Sequence, residues 1–381
     1  MKKQLTYLLT SFMLSLCITP TSSVFAAKNI HTNINSENQN TTLLNNISSN
    51  KSISNVLLTG RFDTSDSVGP TFAWSNSSIK ANFKGTGISV NLKSSGNDWF
   101  DVIIDGDVQA PIGITTNTTS PFILASGLKK GTHTVELVKR TEPLVGETQF
   151  LGFTVTDGHL LPSPKPSSKR IMFIGDSITA AFGNEGANQY EDFSPAKENA
   201  YLSYAAMTAR NLHADLMNIS WSGKGIYLNA DKTTTDVMPE LYNRILPNNK
   251  TNLWNSQNWI PQVVVINLGT NDFESGVAVD KTTFVKGYSD FVDLIRKEYP
   301  KADIYCAIGP GLVGENLIMQ RSYVTNIVNS KKSSGDNKLY FIEFPIQDPA
   351  NGYGEDWHPS IKTHTLMANQ LTSQIKSNSG W

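Results

Sequence analysis

The chain has 381 residues, enough for two or three domains that each bury a hydrophobic core. Lys and Arg total 32 against 33 Asp and Glu, a formal net charge of -1, so the chain lacks the basic field that nucleic-acid binding requires. With 39% hydrophobic and 17% charged residues, the composition excludes wholesale disorder and a multi-span membrane protein.

The first 26 residues have the pattern of a secretory signal peptide. Two lysines precede an apolar stretch at 5–18, and a site suited to signal peptidase ends at Ala26. The apolar stretch is shorter than the roughly 20 residues that a membrane span requires. Lipid attachment at Cys17 is disfavoured because Leu16 is larger than the residue that lipidation sites need. We therefore expect a signal peptide over 1–26, secretion to the extracellular space and no membrane partner.

The expected mature chain begins with a segment rich in Asn, Ser and Thr, and a β-type zone follows. Residues 27–51 carry too few large apolar side chains to offset the entropy of ordering, which predicts a disordered leader. In 52–160, short runs such as ISVNLK alternate apolar and polar residues, and turn residues separate the runs. This pattern predicts an all-β jelly-roll or sandwich domain, with Trp74 and Trp99 in its core.

A proline-rich segment separates this zone from one with a different pattern. Residues 161–169 contain three prolines, which hold the chain extended and predict a linker. In 170–381, five apolar runs alternate with helical intervals, the clearest of them at 281–298. The runs are RIMFIG, DLMNIS, QVVVINLG, ADIYCAIG and KLYFIEF. The alternation predicts a doubly wound parallel sheet with helices on both faces. Cys306 would be the only cysteine left after cleavage, so we expect a buried thiol and no intramolecular disulfide.

Residues suited to nucleophilic catalysis follow several of these strands. Ser177, Gly223 and Asn271 come after the first, second and third strands, and His358 stands near the start of the last helix. In a parallel sheet the carboxyl ends of the strands meet at one edge, where ligands bind. A serine needs a base for its proton and donors for the oxyanion that forms. We expect Ser177 as nucleophile, His358 as base, and an oxyanion hole of the Ser177 amide, the Gly223 amide and the Asn271 side chain.

These motifs resemble a known family. GDSIT, the later Gly223, GTND and the terminal His358 resemble the four blocks of the SGNH hydrolases, the GDSL-type esterase superfamily. The β domain ahead of them, with RTE, FLGF and DWHP, resembles carbohydrate esterase family 2 from about residue 53 to the carboxyl end. The resemblance implies a β jelly roll followed by a flavodoxin-like α/β SGNH-hydrolase domain with a five-stranded parallel sheet. It also implies a secreted deacetylase of plant polysaccharides, including 6-O-acetyl sugars.

The group that orients His358 is left open by the sequence. The superfamily usually places an Asp three residues before the His, and that position is Glu355 here, whereas Asp356 lies two before. Some family 2 enzymes use the Asp two before the His, so we expect Asp356 as the acid in preference to Glu355. A backbone carbonyl is the third possibility. A carboxylate helps only if it reaches the distal imidazole nitrogen.

These residues predict a secreted serine hydrolase that cleaves acyl esters through an acyl-enzyme. The family resemblance implies that the substrate is a carbohydrate and that O-acetyl groups are removed from xylan- or glucomannan-type polysaccharide. The expected partner is an acetylated polysaccharide or oligosaccharide, with Trp221 and Trp357 as candidate sugar-stacking residues. No metal, organic cofactor, nucleic acid or obligate protein partner is expected. The alternatives are an O-acetyl esterase of bacterial cell-wall glycan or small esters, and a glycan-binding protein without enzymatic activity.

Two further motifs have simpler structural explanations. The run at 309–314 matches a dinucleotide-binding pattern, but it follows the fourth strand and Pro310 removes an amide that would face phosphate. Asp176 adjoins the expected nucleophile, and we expect its side chain to fix the turn and not to act as the acid.

Overall fold

The computed structural model describes residues 53–118 and 121–381, which contain sixteen β-strands and seven α-helices. The predicted signal peptide and the predicted leader lie outside the described residues. None of the helices within the described ranges has the length and hydropathy of a membrane span.

The first eleven strands form an antiparallel β-sandwich. They are β1 Val56–Thr59, β2 Thr71–Phe72, β3 Ser78–Gly85, β4 Gly87–Ser94, β5 Asp98–Ile104, β6 Asp107–Val108, β7 Ile112–Ile114, β8 Phe122–Ala125, β9 Gly131–Lys139, β10 Thr148–Thr156 and β11 His159–Leu160. One sheet has the order β1-β3-β9-β5-β6, with β11 against β3 and β7 against β5, and the other has the order β2-β10-β4-β8. Alternate side chains of both sheets, among them Phe83 and Val90, meet in one buried cluster. The predicted β-sandwich is therefore confirmed.

The remaining strands form one parallel sheet. They are β12 Arg170–Gly175, β13 Asp215–Ser220, β14 Val263–Asn267, β15 Asp303–Ile308 and β16 Leu339–Glu343, in the order β13-β12-β14-β15-β16. The helices are α1 Ser177–Ala180, α2 Tyr204–Asn211, α3 Met238–Leu241, α4 Thr270–Glu274, α5 Lys281–Glu298, α6 Gly314–Ser333 and α7 Ile361–Ser379. Side chains of α5 and α6 pack on one face of the sheet, and those of α2 and α7 pack on the other. Burial on both faces explains the continuous apolar runs of these strands, and the predicted doubly wound fold is confirmed.

The register of the sheet brings three strand ends together. Gly175 at the end of β12 lies opposite Ser220 of β13 and Asn267 of β14. The loops that follow these three strands therefore start side by side. This edge is where the sequence places Ser177, Gly223 and Asn271.

Buried contacts join the sandwich to the α/β domain. Trp74 is fully buried, packs in the hydrophobic cluster of the α/β domain and donates its indole N–H to the carbonyl of Ile245 at 2.8 Å. Arg61, also fully buried, donates to the carbonyls of Tyr242 and Arg244. Because each contact satisfies a polar group inside the protein, separating the domains would expose apolar surface and unpaired donors.

Three expectations about single side chains have different outcomes. Trp74 is buried as predicted, but it packs with the α/β domain and not in the core of the sandwich. Trp99 is only half-buried, against Gly113 of β7. Cys306 is fully buried in β15 and forms no disulfide, and burial raises the pKa of its thiol to about 12, so the predicted buried thiol is confirmed.

Candidate active site

A tight turn after β12 presents Ser177. The strand ends at Gly175, where a Cβ atom would lie 2.0 Å from the hydroxyl of Thr179, so only glycine allows this approach. The buried Asp176 caps α1, since its Oδ1 accepts the amide N–H of Ile178 at 3.0 Å. Burial raises the pKa of Asp176 to about 7. Asp176 therefore fixes the turn, as predicted.

The loop before α7 brings His358 to Ser177. The Nε2 atom of His358 lies 2.9 Å from Ser177 Oγ, although 181 residues separate the two in the chain. The imidazole packs against the ring of Phe182, with the ring centres 4.4 Å apart. Burial lowers the pKa of His358 below its usual 6.5, so the imidazole is neutral at neutral pH. A neutral imidazole within hydrogen-bond distance of a serine hydroxyl can accept its proton.

Main-chain oxygens orient the other side of the imidazole. The Nδ1 atom of His358 lies 2.9 Å from the carbonyl oxygen of Asp356 and 3.2 Å from that of Glu355. A carbonyl can only accept, so Nδ1 carries the proton and Nε2 is left free to accept from Ser177. The imidazole is thus in the tautomer that a general base requires.

The carboxylate of Asp356 does not take the position expected of a triad acid. Asp356 and Trp357 both have left-handed backbones, with φ of 48° and 62°. In this conformation the carbonyl of Asp356 points at the imidazole, and its side chain is exposed. Among the hydrogen bonds of the described residues, none joins the Asp356 carboxylate to His358. Its charge still acts through space, because it opposes the fall in the pKa of His358.

Glu355 does not replace it. Its side chain is 1% exposed and accepts the amide N–H of Ser194 at 2.8 Å, with Lys197 Nζ 3.9 Å away. The amide of Glu355 donates to the carbonyl of Gly183 at 2.9 Å. Glu355 therefore ties the His358 loop to the chain after α1. Of the three sequence alternatives, the backbone carbonyl has the geometry that orients the imidazole.

The predicted oxyanion donors follow three neighbouring strands, with the Ser177 amide at the start of α1. Asn271, in α4, shares a cleft with Ser177 and His358, and its Nδ2 donates to the carbonyl of Lys224 at 3.0 Å. Gly223 has a positive φ of 78°, which favours glycine. Its loop is tied to the end of β12 by a 3.3 Å hydrogen bond from the amide of Trp221 to the carbonyl of Gly175.

The cleft has a volume of about 520 Å³ and an open aromatic rim. Trp357 lines it, is 53% exposed and contacts the rings of Tyr190 and Tyr353 edge-on, at 5.7 and 5.4 Å between centres. Trp221 is not among the lining residues; it is half-buried, and Lys224 lies over its ring. Sequence reasoning missed Tyr190, which is 77% exposed and belongs to none of the motifs.

The run at 309–314 and the histidines His133 and His364 have structural explanations. Pro310 and Gly311, from the run that matches a dinucleotide-binding pattern, form part of the cleft wall. His133 pairs with Asp105, and the buried His364 accepts the amide N–H of Tyr204 at 3.2 Å. Across residues 53–118 and 121–381, no three His, Cys, Asp or Glu side chains are grouped as metal ligands.

Comparisons with known proteins agree with this architecture. A family model described as carbohydrate esterase 2 N-terminal matches residues 58–164, and one described as GDSL-like lipase/acylhydrolase family matches 173–366. Cellulase/esterase CelE of Acetivibrio thermocellus is 50% identical over 326 residues, which are 86% of this chain and 40% of CelE. The chain therefore spans about two fifths of that relative's length. An acetylxylan esterase/glucomannan deacetylase of Cellvibrio japonicus is 30% identical over 331 residues, 81% of this chain and 86% of that protein.

Solved structures give the same result. A family two carbohydrate esterase from Clostridium thermocellum, in complex with cellohexaose, superposes with a TM-score of 0.83 at 50% identity. The superposition covers 86% of this chain and 99% of that one. This chain and the Clostridium thermocellum esterase, which are 50% identical, thus have the same two domains in the same order. The chain belongs to carbohydrate esterase family 2, a family of GDSL-type carboxylic ester hydrolases.

Proposed function

We propose that this protein is a secreted serine esterase that removes O-acetyl groups from a polysaccharide of the xylan or glucomannan type. The observation that carries the proposal is the 2.9 Å contact between Ser177 Oγ and His358 Nε2 beside Asn271. A binding protein has no need of a hydroxyl held against a neutral, correctly protonated imidazole. Acyl transfer requires that pair.

Acylation begins when the substrate ester lies in the cleft against Ser177. His358 takes the hydroxyl proton as the oxygen attacks the acetyl carbonyl, and Nδ1–H keeps its hydrogen bond to the carbonyl of Asp356. The negative charge that develops on the acetyl oxygen is stabilised by the amides of Ser177 and Gly223 and by Asn271 Nδ2. His358 then protonates the departing sugar oxygen, which leaves an acetyl group on Ser177.

Deacylation repeats these steps with water. His358 takes a proton from a water molecule, which attacks the acetyl-enzyme, and the same donors stabilise the second tetrahedral intermediate. Collapse releases acetate and returns the proton to Ser177. These side chains and amides suffice for the reaction, so we propose that it needs no metal or organic cofactor.

The substrate class rests on the relatives and on the rim of the cleft. One relative's name includes acetylxylan and glucomannan, and the Clostridium thermocellum esterase was crystallised with cellohexaose. The ring of Trp357 is exposed and offers a flat apolar face of the kind that sugar rings stack on, and Tyr190 contacts it edge-on. We therefore propose that Trp357 contacts the glycan. Trp221, half-buried and absent from the cleft lining, is better suited to supporting the loop that carries Gly223.

The test compares residues 27–381 with the Ser177→Ala variant on acetylated glucomannan, acetylated xylan and O-acetylated peptidoglycan, with acetate release as the readout. We expect release from a plant polymer by the wild type and a loss of at least about 10³-fold in the variant. Matched melting temperatures would show that only the hydroxyl was lost.

The same assay separates the alternatives. Release from peptidoglycan alone would keep the mechanism and move the substrate to bacterial cell-wall glycan. Activity only on 4-nitrophenyl acetate would indicate small esters. Glycan binding with no acetate release from any substrate would leave a binding protein and refute the proposal.

A further inference from the structure

A buried carboxylate from the sandwich reaches into the loop that carries Gly223. Glu142 follows β9 and has no solvent exposure. Its Oε2 accepts the amide N–H of Ser222 at 2.6 Å, and its Oε1 accepts the Ser222 hydroxyl. The two residues are 80 positions apart, in different domains. Both carboxylate oxygens are thus used on one residue of the α/β domain.

Ser222 precedes the proposed oxyanion donor. The Gly223 N–H belongs to the planar peptide group that joins Ser222 to Gly223. Its direction therefore depends on the backbone of Ser222 and on the φ angle of Gly223. Gly223 has a φ of 78°, and glycine by itself does not restrict that angle. A clamp on both the amide and the hydroxyl of Ser222 restricts the chain on the amino-terminal side of Gly223.

The rest of the loop is held on other sides. The amide of Trp221 donates to Gly175 at the end of β12, and the carbonyl of Lys224 accepts Nδ2 of Asn271. The carbonyl of Gly223 also accepts the amide N–H of Ala230 at 2.9 Å. Glu142 is therefore the fourth anchor of the segment 221–224, and it is the one that the α/β domain does not supply.

Glu142 is itself held in place. Its amide donates to the Glu198 carboxylate at 3.2 Å, and the amide of Val145 donates to its carbonyl at 3.1 Å. Nearby, Lys139 Nζ lies 2.6 Å from Asp98 Oδ1, with both side chains fully buried. Burial raises the pKa of Glu142 to about 7, and the hydrogen bonds from Ser222 oppose that rise. A carboxyl group fixed in this way can set the geometry of its partner.

We propose that Glu142 is a positioning residue for ester hydrolysis: through Ser222 it aims the Gly223 amide at the oxyanion. The inference rests on the proposed function, since it needs Gly223 to be an oxyanion donor. It makes the sandwich a contributor to catalysis and not only a support for the hydrolase domain.

A purely adhesive role predicts a different result. Trp74 also joins the domains through a hydrogen bond, but its partner Ile245 makes no hydrogen bond to the segment 221–224 in the part of the chain that the structure describes. If Glu142 served only adhesion, its loss would lower stability as loss of the Trp74 contact does and would leave turnover intact. Positioning predicts a fall in kcat with little change in KM, because the donor acts on the transition state.

The experiment uses the full chain with Glu142→Ala, Glu142→Gln, Ser222→Ala and, as matched control, Trp74→Phe. The readouts are kcat and KM on 4-nitrophenyl acetate, the melting temperature, and the Kd of phenylboronic acid, whose adduct on Ser177 is tetrahedral and anionic. We expect Glu142→Ala to lower kcat by about 10- to 100-fold, part of the loss seen when an oxyanion donor is deleted. Boronate binding should weaken in parallel, with KM within about threefold.

The conservative variants sharpen the test. Glu142→Gln should recover kcat to within about threefold, because its amide oxygen can accept from the Ser222 amide and its NH₂ can donate to the hydroxyl. Ser222→Ala keeps the amide contact and should lose less than Glu142→Ala does. Trp74→Phe should lower the melting temperature and leave kcat unchanged. If Glu142→Ala does not fold, Ser222→Ala decides: a fall in kcat with an unchanged melting temperature supports positioning.

Failure of the inference differs from failure of the proposed function. Positioning is overturned if kcat is unchanged in both Glu142→Ala and Ser222→Ala while Asn271→Ala still lowers kcat by more than about 100-fold. Where Glu142→Ala is unfolded, an unchanged kcat in Ser222→Ala alone has the same meaning. If Ser177→Ala retains activity, or Asn271→Ala is as active as the wild type, the proposed site itself is wrong.

Discussion

The role of Asp356 can be decided by one substitution. In Asp356→Asn the side chain loses its charge, while Asn accepts the left-handed backbone at φ 48° as readily as Asp does. The carbonyl that holds His358 Nδ1 at 2.9 Å therefore stays where it is. The variant removes the carboxylate and leaves the main-chain hydrogen bond intact.

The structure sets the size of the effect. The Asp356 carboxylate is exposed and has no hydrogen bond to the imidazole, so its contribution is that of a solvated charge near His358, about 0.5–1 kcal/mol. At 1.36 kcal/mol per factor of ten, this corresponds to about a two- to fivefold loss in kcat/KM. Replacement of a true triad aspartate by asparagine costs about 10⁴-fold in kcat. The two mechanisms differ by three orders of magnitude.

The assay is kcat and KM on 4-nitrophenyl acetate and on acetylated glucomannan, with the melting temperature as a check on folding. Asp356→Ala should be worse than Asp356→Asn, because alanine strains the left-handed backbone that carries the carbonyl, at a cost of about 1 kcal/mol. A loss of 10³-fold or more in a folded Asp356→Asn protein would refute our reasoning. Such a result would mean that the carboxylate rotates onto Nδ1 during turnover.

Three further outcomes follow from the site. On the acid side of its pH profile, kcat/KM should have its midpoint below pH 6.5, because burial lowers the pKa of His358. Asp356→Asn should lower that midpoint further, because the Asp356 charge opposes the fall in the pKa. A midpoint above pH 6.5 in the wild type would contradict this prediction. Asn271→Ala should lower kcat by about 10²- to 10³-fold with KM little changed, and a loss below about fivefold in steady-state kinetics would remove Asn271 from the oxyanion hole. The pKa of Asp176 is about 7 in the folded protein, against an ordinary 3.8. Between these two pH values the folded state binds a proton at Asp176 that the unfolded state does not, so the free energy of unfolding falls as the pH rises from about 4 to about 7. Asn at position 176 can still cap α1 but does not titrate. In urea titrations, the free energy of unfolding of Asp176→Asn minus that of the wild type should therefore rise by at most about 4 kcal/mol between pH 4 and pH 8. If that difference is the same at both pH values, Asp176 does not titrate in this range.

The sheet and its helices could be predicted because burial leaves a local signal. Strands covered on both faces are continuous apolar runs, and the runs RIMFIG and DLMNIS coincide with β12 and β13 residue for residue. The helix at 281–298 has the predicted bounds because its apolar spacing is regular and Asp280 caps it, accepting the amide N–H of Thr283 at 2.7 Å. Since strand ends meet at one edge, the placement of Ser177 and Asn271 followed from the order of the strands.

The parts that could not be predicted depend on backbone conformation or on distant contacts. Spacing alone does not show that Asp356 and Trp357 are both left-handed, so it could not tell a carboxylate from a carbonyl as the partner of His358. The contact of Glu142 with Ser222 spans 80 residues and that of Trp74 with Ile245 spans 171. Neither pair shares a motif. The sequence pattern of one domain contains no information about which side chain of the other will meet it.

Trp74 belongs to the sandwich by its place in the chain and to the hydrolase domain by its packing. A cut between β11 and β12 would leave an apolar gap in one piece and an uncovered indole on the other. Each domain therefore depends on the other to cover its apolar surface, although the two have separate folds. A fusion protein that carried the α/β domain alone would expose the apolar surface that Trp74 covers, so we expect a stable fusion to need both domains.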